Sequence, residues 1–459
     1  MGTALRSAAA QLITNLTATS AIPAVCVTAF DREGEIFTFC HGPRDIDCPR
    51  TPLDPYTRFR TYSLTKMFTA TVILRLVDDG RIRLDQPISS FLPSGAPDAL
   101  RAATVRQLLG HMSGLVRDTG ATAIGRDLAD YVTMAAIHTP SIAPPGIIYA
   151  YSDAGFALLG HLVEQVTGTE FSRAVNEWLF EPLGMRSSCF DNGGDPASVS
   201  AEHAMSRDGV MMSIAPRKPA PGERPANGAF SSCHDIARFG MAHLRGRLPL
   251  KSSQRLVSAG LLSDMSNRGA DIGLDVDFHY GLGAYVGPRF GEDLGYGNLG
   301  HGLGCWSRLV LLPRSGLGLA WFDNLAGSLE LNWRREETIQ QILAVAGAER
   351  PSWECLPDPT RVPPEQAVGS YRRLTGRPLL VQLRDDRLRI GNDAVTVPLR
   401  WHHGSTYVAA ADADRAAASL VPTWTPSALT SPCTVRFVPS ETATVNYLSV
   451  NGVPFRRNL

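Results

Sequence analysis

Lysine is almost missing from this chain. Its 459 residues include 44 Lys and Arg together, yet only three are lysine: Lys66, Lys218 and Lys251. Arginine cannot act as a base near neutral pH and lysine can. A lysine kept in an arginine-writing chain is therefore a candidate for proton transfer. Net charge is missing too, because 44 acidic residues balance the cations and the pI is near 7.2. That excludes a basic field for nucleic acid and a charge block for a membrane surface. The eight cysteines (26, 40, 48, 189, 233, 305, 355, 433) form no Cys-x-x-Cys pair and no Cys/His zinc spacing. They read as mostly free thiols of a reducing compartment. His161 and Glu164 share a helix face, but two ligands do not make a metal site, so neither metal nor cofactor is expected. No run approaches the roughly 18 apolar residues of a membrane span. Residues 1–16 are interrupted by Gln11, Thr14 and Asn15 and lack the apolar core of a signal peptide. These absences together point to a cytoplasmic protein.

A hydrophobic content of 44% over 459 residues is ample for a large core in two or three domains. Leu5, Ala9, Leu12 and Leu16 recur at helical spacing. Two strands follow, Ala24 to Asp31 and Glu35 to His41, joined by a turn at 31–34. Phe68, Val72, Ile73, Leu76 and Val77 predict another amphipathic helix, stopped at Gly80. Residues 200–225 are polar and proline-rich and read as a loop. The stretch 300–324 reads as a Gly-flanked edge strand and two buried strands, and a helix from about Trp333 to Ala346 follows. Pro351, Pro357 and Pro359, with Pro363 and Pro364 just beyond, place a linker at 351–361. Beyond it the pattern changes to short strands, which predicts a small antiparallel barrel or sandwich at 362–459.

Three stretches carry chemistry. The first is Ser63-Leu64-Thr65-Lys66, at the start of the second helix. Ser63 and Lys66 lie one turn apart on one face. A serine hydroxyl needs a base, and a buried lysine can be one. The plain alternative is a serine cap followed by a surface lysine. The second is Tyr151-Ser152-Asp153, before a helix from about Ala154. Ser152 or Asp153 either caps that helix or faces a site. The third is Gly300-His301-Gly302-Leu303-Gly304-Cys305-Trp306. His111, ending a short helix at 104–110, is a candidate catalytic residue or a buried histidine.

Taken together and in this order, the three stretches resemble the serine β-lactamase and penicillin-binding-protein superfamily, most closely its class C-like branch of esterases and D-amino-acid peptidases. Residues 84–87, 108–115 and 280–283 agree with it. The resemblance implies an α+β fold for residues 1–350, an antiparallel sheet with helices. It also implies a nucleophile at Ser63, its partner at Lys66, a proton-shuttling Tyr151 and an edge-strand His301. The N–H groups of Ser63 and Gly304 would form the oxyanion hole, with Phe230 and Trp306 as supporting or substrate-binding residues. Asp153 stands where the family usually has Asn, and Leu303 where it usually has Gly. The tail resembles the lipocalin-like barrel appended to several members. With that tail, the chain looks like the penicillin-binding-protein-type thioesterases. These take a small peptide from a peptidyl carrier protein thioester onto serine and release a head-to-tail macrolactam. Hydrolysis by the same serine, as in D-aminopeptidases, esterases and β-lactamases, is the alternative, and a non-catalytic binding module is the third reading.

Overall fold

The computed structural model describes residues 2–458 apart from 117–126, 192–197, 207, 249–254, 273–277, 353–361, 373–377, 386, 393–394, 404–405, 410–433, 440–444 and 451–452. Most of the expected linker, together with Lys251, Cys355 and Cys433, lies outside the described residues.

Alternation along the strands builds the first unit. In β1 (Val25–Phe30), Val25, Val27 and Ala29 point into one apolar cluster and Cys26 and Phe30 into another, and the whole strand is buried. Such a strand belongs inside a sheet covered on both faces. It pairs with β2 (Glu35–His41) on one side. Two short pairs stand off the sheet: β3 (Phe59–Arg60) with β6 (Phe230–Ser231), and β4 (Glu202–Met205) with β5 (Met211–Ile214). The rest of the sheet is β7 (Ala270–Asp271), β8 (His279–Tyr280), β9 (Tyr285–Phe290), β10 (Asp293–His301), β11 (Trp306–Leu312), β12 (Leu317–Asp323) and β13 (Pro351–Ser352). The order is β2-β1-β12-β11-β10-β9-β8-β7, with β13 also on β9. β1 thus lies against β12, with Val25 opposite Asp323.

One face of the sheet is covered by the helices Gly2–Thr19 and Leu329–Val345, through Ala9, Ile13, Ile339 and Ile342 against Val27, Val310 and Trp321. A buried ion pair clamps the second of these helices. Arg335 Nη2 lies 2.5 Å from Asp323 Oδ1, both side chains fully covered, and Trp321 Nε1 donates to the same carboxylate. The other face meets the helices Thr65–Asp78 and Cys233–Arg245. The spacing predicts one apolar stripe on Thr65–Asp78. Instead every residue from Thr65 to Leu74 is covered, and Phe68 meets Phe180 and Phe239 edge-on at 5.2 and 5.0 Å. A helix covered all round is a core helix.

The stretch 200–225 is not a loop. It forms the β4–β5 hairpin and two short helical turns, Pro221–Glu223 and Arg224–Asn227.

The tail is a closed antiparallel barrel of β14 (Gly369–Arg372), β15 (Leu379–Arg384), β16 (Arg387–Gly391), β17 (Thr396–His403), β18 (Thr406–Ala409), β19 (Thr434–Pro439), β20 (Val445–Val450) and β21 (Val453–Arg457). Its core is filled by side chains including Tyr371, Val381, Ile390, Val397, Tyr407, Phe437 and Leu448, the state expected of an eight-stranded barrel. Among the described residues, no helix is long and apolar enough to cross a membrane.

Candidate active site

Ser63 sits on a short turn, Tyr62–Leu64, that runs into the core helix. The turn is strained, since Tyr62 has a φ of 46°, a region that costs a bulky residue energy. Its surroundings hold it there. The Tyr62 hydroxyl donates to Glu202 Oε2 at 2.6 Å, and the Arg60 guanidinium lies 4.8 Å from the ring centre. Strand β10 runs close alongside. A Cβ at Gly300 would come within 1.9 Å of the Thr61 carbonyl, and one at Gly302 within 1.8 Å of the Tyr62 ring. Glycine alone lets the chain pass so near the turn that carries Ser63. Burial, with the Glu202 carboxylate next, pushes the Tyr62 phenol up, so it stays a proton donor. Burial likewise pushes Glu202 up.

Lys66 is completely covered. Its ammonium has three N–H donors, and each has an acceptor: Ser63 Oγ at 3.1 Å, Asp153 Oδ1 at 2.6 Å and the Ala226 carbonyl at 3.0 Å. The nitrogen also lies 4.7 and 5.5 Å from the ring centres of Tyr151 and Phe156. Complete burial works against the ammonium, while the adjacent carboxylate, a third acceptor and two aromatic faces work for it. Tyr151 donates to Ser63 Oγ at 2.8 Å. The serine oxygen thus lies between a phenol and an ammonium.

The helix Asp153–Thr167 places both groups. Ser152 caps it, accepting from the Gly155 N–H at 3.0 Å. Asp153 is therefore released to face Lys66. Tyr151 lies in the irregular segment before the helix. His111, buried with a φ of 55°, holds that segment: its carbonyl accepts from Ala150 N–H at 2.8 Å and its Nδ1 from Ser152 N–H at 3.1 Å. Its ring packs against those of Tyr151 and Tyr280 at 4.2 and 4.5 Å. His111 is the buried histidine of the two readings, with a structural task next to the site.

A family model described as Beta-lactamase matches residues 9–344. The chain belongs to the β-lactamase family. It is 27% identical over 336 residues to penicillin-binding protein 4 of Amycolatopsis lactamdurans, covering 70% of this chain and 86% of that one. The solved structure of SurE matches it over 99% of both chains, at 24% identity and a TM-score of 0.79, and SurE is also solved with D-Leu. A D-stereospecific amidohydrolase from Streptomyces sp. matches 71% of this chain and 97% of its own, at 25% identity and a TM-score of 0.58.

Other expected site residues of this β-lactamase-family chain fall less simply. His301 ends β10 beside the nucleophile turn, and its Nε2 accepts from the Gly327 N–H at 3.3 Å. The N–H of Gly304, expected in an oxyanion hole, is engaged within the protein. That N–H donates to the Glu202 carboxylate, and its carbonyl accepts from His203 N–H at 3.0 Å. The chain turns back early, with Gly302 N–H bonded to the Cys305 carbonyl, and Leu303 N–H goes to the Tyr62 hydroxyl at 3.3 Å. Of the two roles expected of Trp306, its surroundings suit the supporting one. It is buried in the cluster under the N-terminal helix, with Trp321 edge-on at 6.4 Å. Phe230 is fully covered and pairs with Arg60, so it supports the strand before Ser63. Tyr62 and Glu202 escape a reading of the sequence. Only the adjacency of Tyr62 to Ser63 signals it, and nothing local signals Glu202.

Proposed function

We propose that this serine hydrolase of the β-lactamase family is a peptide cyclase. It takes a peptidyl thioester from a carrier protein onto Ser63 and releases a head-to-tail macrolactam. The observation that carries acyl transfer is the Ser63 oxygen between Tyr151 and Lys66, at 2.8 and 3.1 Å. Tyr151, as phenolate, takes the serine proton while Oγ attacks the thioester carbonyl. The C–S bond breaks and the thiol leaves with the proton from Tyr151. The peptide's own amine then attacks the ester, gives its proton to Tyr151, and Ser63 Oγ is released and reprotonated. Lys66, held cationic by Asp153, steadies the phenolate at each stage.

The cyclase reading is supported by the two-unit layout, catalytic unit plus barrel, which matches SurE over nearly the whole of both chains. A D-configured residue at the acyl end is supported by the D-Leu complex of that neighbour and by the D-stereospecific amidohydrolase. Hydrolysis by the same serine is the second reading, supported by the likeness to that amidohydrolase. Product mass separates them. A peptidyl thioester with a D-residue at its acyl end should give a product lighter by one water than the free acid. Release of the acid alone would replace cyclisation with hydrolysis. Ser63→Ala should form no acyl adduct by intact-protein mass spectrometry, and an adduct that persists would remove Ser63 as nucleophile.

A further inference from the structure

Tyr151 lies on a segment with little regular structure of its own. Between the turn at Pro144-Pro145-Gly146 and the helix starting at Asp153, the chain forms no strand or helix. Its inner side is tied to residues 111–116. Ala150 and Ser152 bond to His111, Gly146 N–H to the Met112 carbonyl at 2.7 Å, and Ile142 N–H to the Gly114 carbonyl at 2.9 Å. Its Ile148 and Ala150, with Ile142 and Ala143 from before the turn, form a small buried apolar cluster. Val438 and Tyr447 of the C-terminal barrel pack against that cluster.

Those two residues stand directly opposite each other on β19 and β20, so they make one patch. On β19, Val435 and Phe437 point into the barrel core, so Arg436 and Val438 point outward. Arg436 forms an ion pair with Asp271 of β7. β7 in turn pairs with β8, where Tyr280 lies opposite Ala270 and meets the His111 ring. One outer face of the barrel therefore grips the Tyr151 pocket on two sides, through its segment and through the strand pair behind Tyr280.

We propose that the barrel is a positioning element for the chemical step. Val438 and Tyr447 brace residues 148–152 so that the Tyr151 hydroxyl stays on Ser63. A barrel that only walls a peptide substrate would affect large substrates alone. A brace acts on every substrate, because it sets the geometry between base and nucleophile, and small displacements there cost rate steeply.

The test uses the full chain and p-nitrophenyl acetate, whose acyl group is too small to reach across to a barrel. In Tyr447→Ala and in Val438→Ala, kcat for this ester should fall by about tenfold with KM nearly unchanged. Tyr447→Phe, which keeps the packed ring, should restore it. Circular dichroism and melting temperature check each variant. Should Tyr447→Ala fail to fold, Val438→Ala, which removes only two methyl groups, carries the comparison. Wild-type turnover of the small ester by a folded Val438→Ala or Tyr447→Ala protein would overturn the brace, including where peptide turnover is lost. The inference rests on serine acyl transfer and not on cyclisation. A wild-type protein that neither releases p-nitrophenol nor gains an acetyl adduct on Ser63 would remove that chemistry and this inference with it, whereas failed cyclisation shows in product mass and leaves the ester rates standing.

Discussion

Asp153 decides the charge state of the site. An amide there would leave the Lys66 ammonium without a counter-charge. The carboxylate at 2.6 Å supplies one, so loss of a proton from the coupled Lys66–Tyr151 pair is made harder whichever residue gives it up. In Asp153→Asn the basic limb of the kcat/KM profile should therefore move to lower pH. An unmoved limb would make Asp153 irrelevant to proton transfer. Loss of a helix cap cannot explain a shift, because Ser152 is the cap. Much at this scale can be read from the chain. Ser63 and Lys66 are one turn apart, and the scarcity of lysine singles out Lys66. Tyr151 and Asp153 are legible only together with them, because 85 residues or more of chain separate groups that meet in space. Glu202 is not legible at all. It matters through a hydrogen bond to a strained Tyr62, and no local pattern encodes that bond.

Secondary-structure elements are legible where one period dominates. The N-terminal helix and β1–β2 follow from spacing. β4 and β5 do not, since strands of four residues separated by Ser206 to Val210 have too little alternation to rise above a polar background. The helix Thr65–Asp78 shows a further limit, because a stripe in the sequence says nothing of what covers the remaining sides. Two elements carry predictions of their own. Arg335→Met leaves Asp323 buried beside Trp321 without its cation, which should cost about 3–5 kcal/mol in denaturant unfolding. A loss under about 1 kcal/mol would mean that the helix Leu329–Val345 is held by its apolar face alone. His243, on the helix Cys233–Arg245, is held down to about 3 by burial. The unfolded chain takes up that proton near 6.5 and the folded chain only near 3. Between those values the unfolded state binds more protons, so stability falls as pH falls. The slope is about 1.4 kcal/mol per pH unit. His243→Gln should flatten the stability profile between pH 6 and 4, and an unchanged slope would assign the acid loss elsewhere.

At the scale of the molecule, the apolar cores of the two units are separate. One fills the barrel and the others lie on either side of the sheet, and the units meet through the Val438–Tyr447 patch and the Arg436–Asp271 pair. Scanning calorimetry should resolve two transitions, and a single one would show that the contact makes them one cooperative body. The change from helical to two-residue periodicity beyond the prolines makes the barrel legible. The patch joining it to the catalytic unit is not, because Val438 and Tyr447 read as ordinary outward strand residues. The pairing of Val25 with Asp323 has its own consequence. Ribosomes add roughly 5–20 residues per second, and about three hundred residues separate these partners. The first strand therefore waits on the order of 15–60 s of translation for its neighbour. During that time β1 and β2 form an isolated hairpin with an open edge, marginal by itself. The barrel, built from neighbouring hairpins, closes within moments of its own synthesis. Nascent chains stalled before residue 317 should depend on chaperones, and the last hundred residues should not.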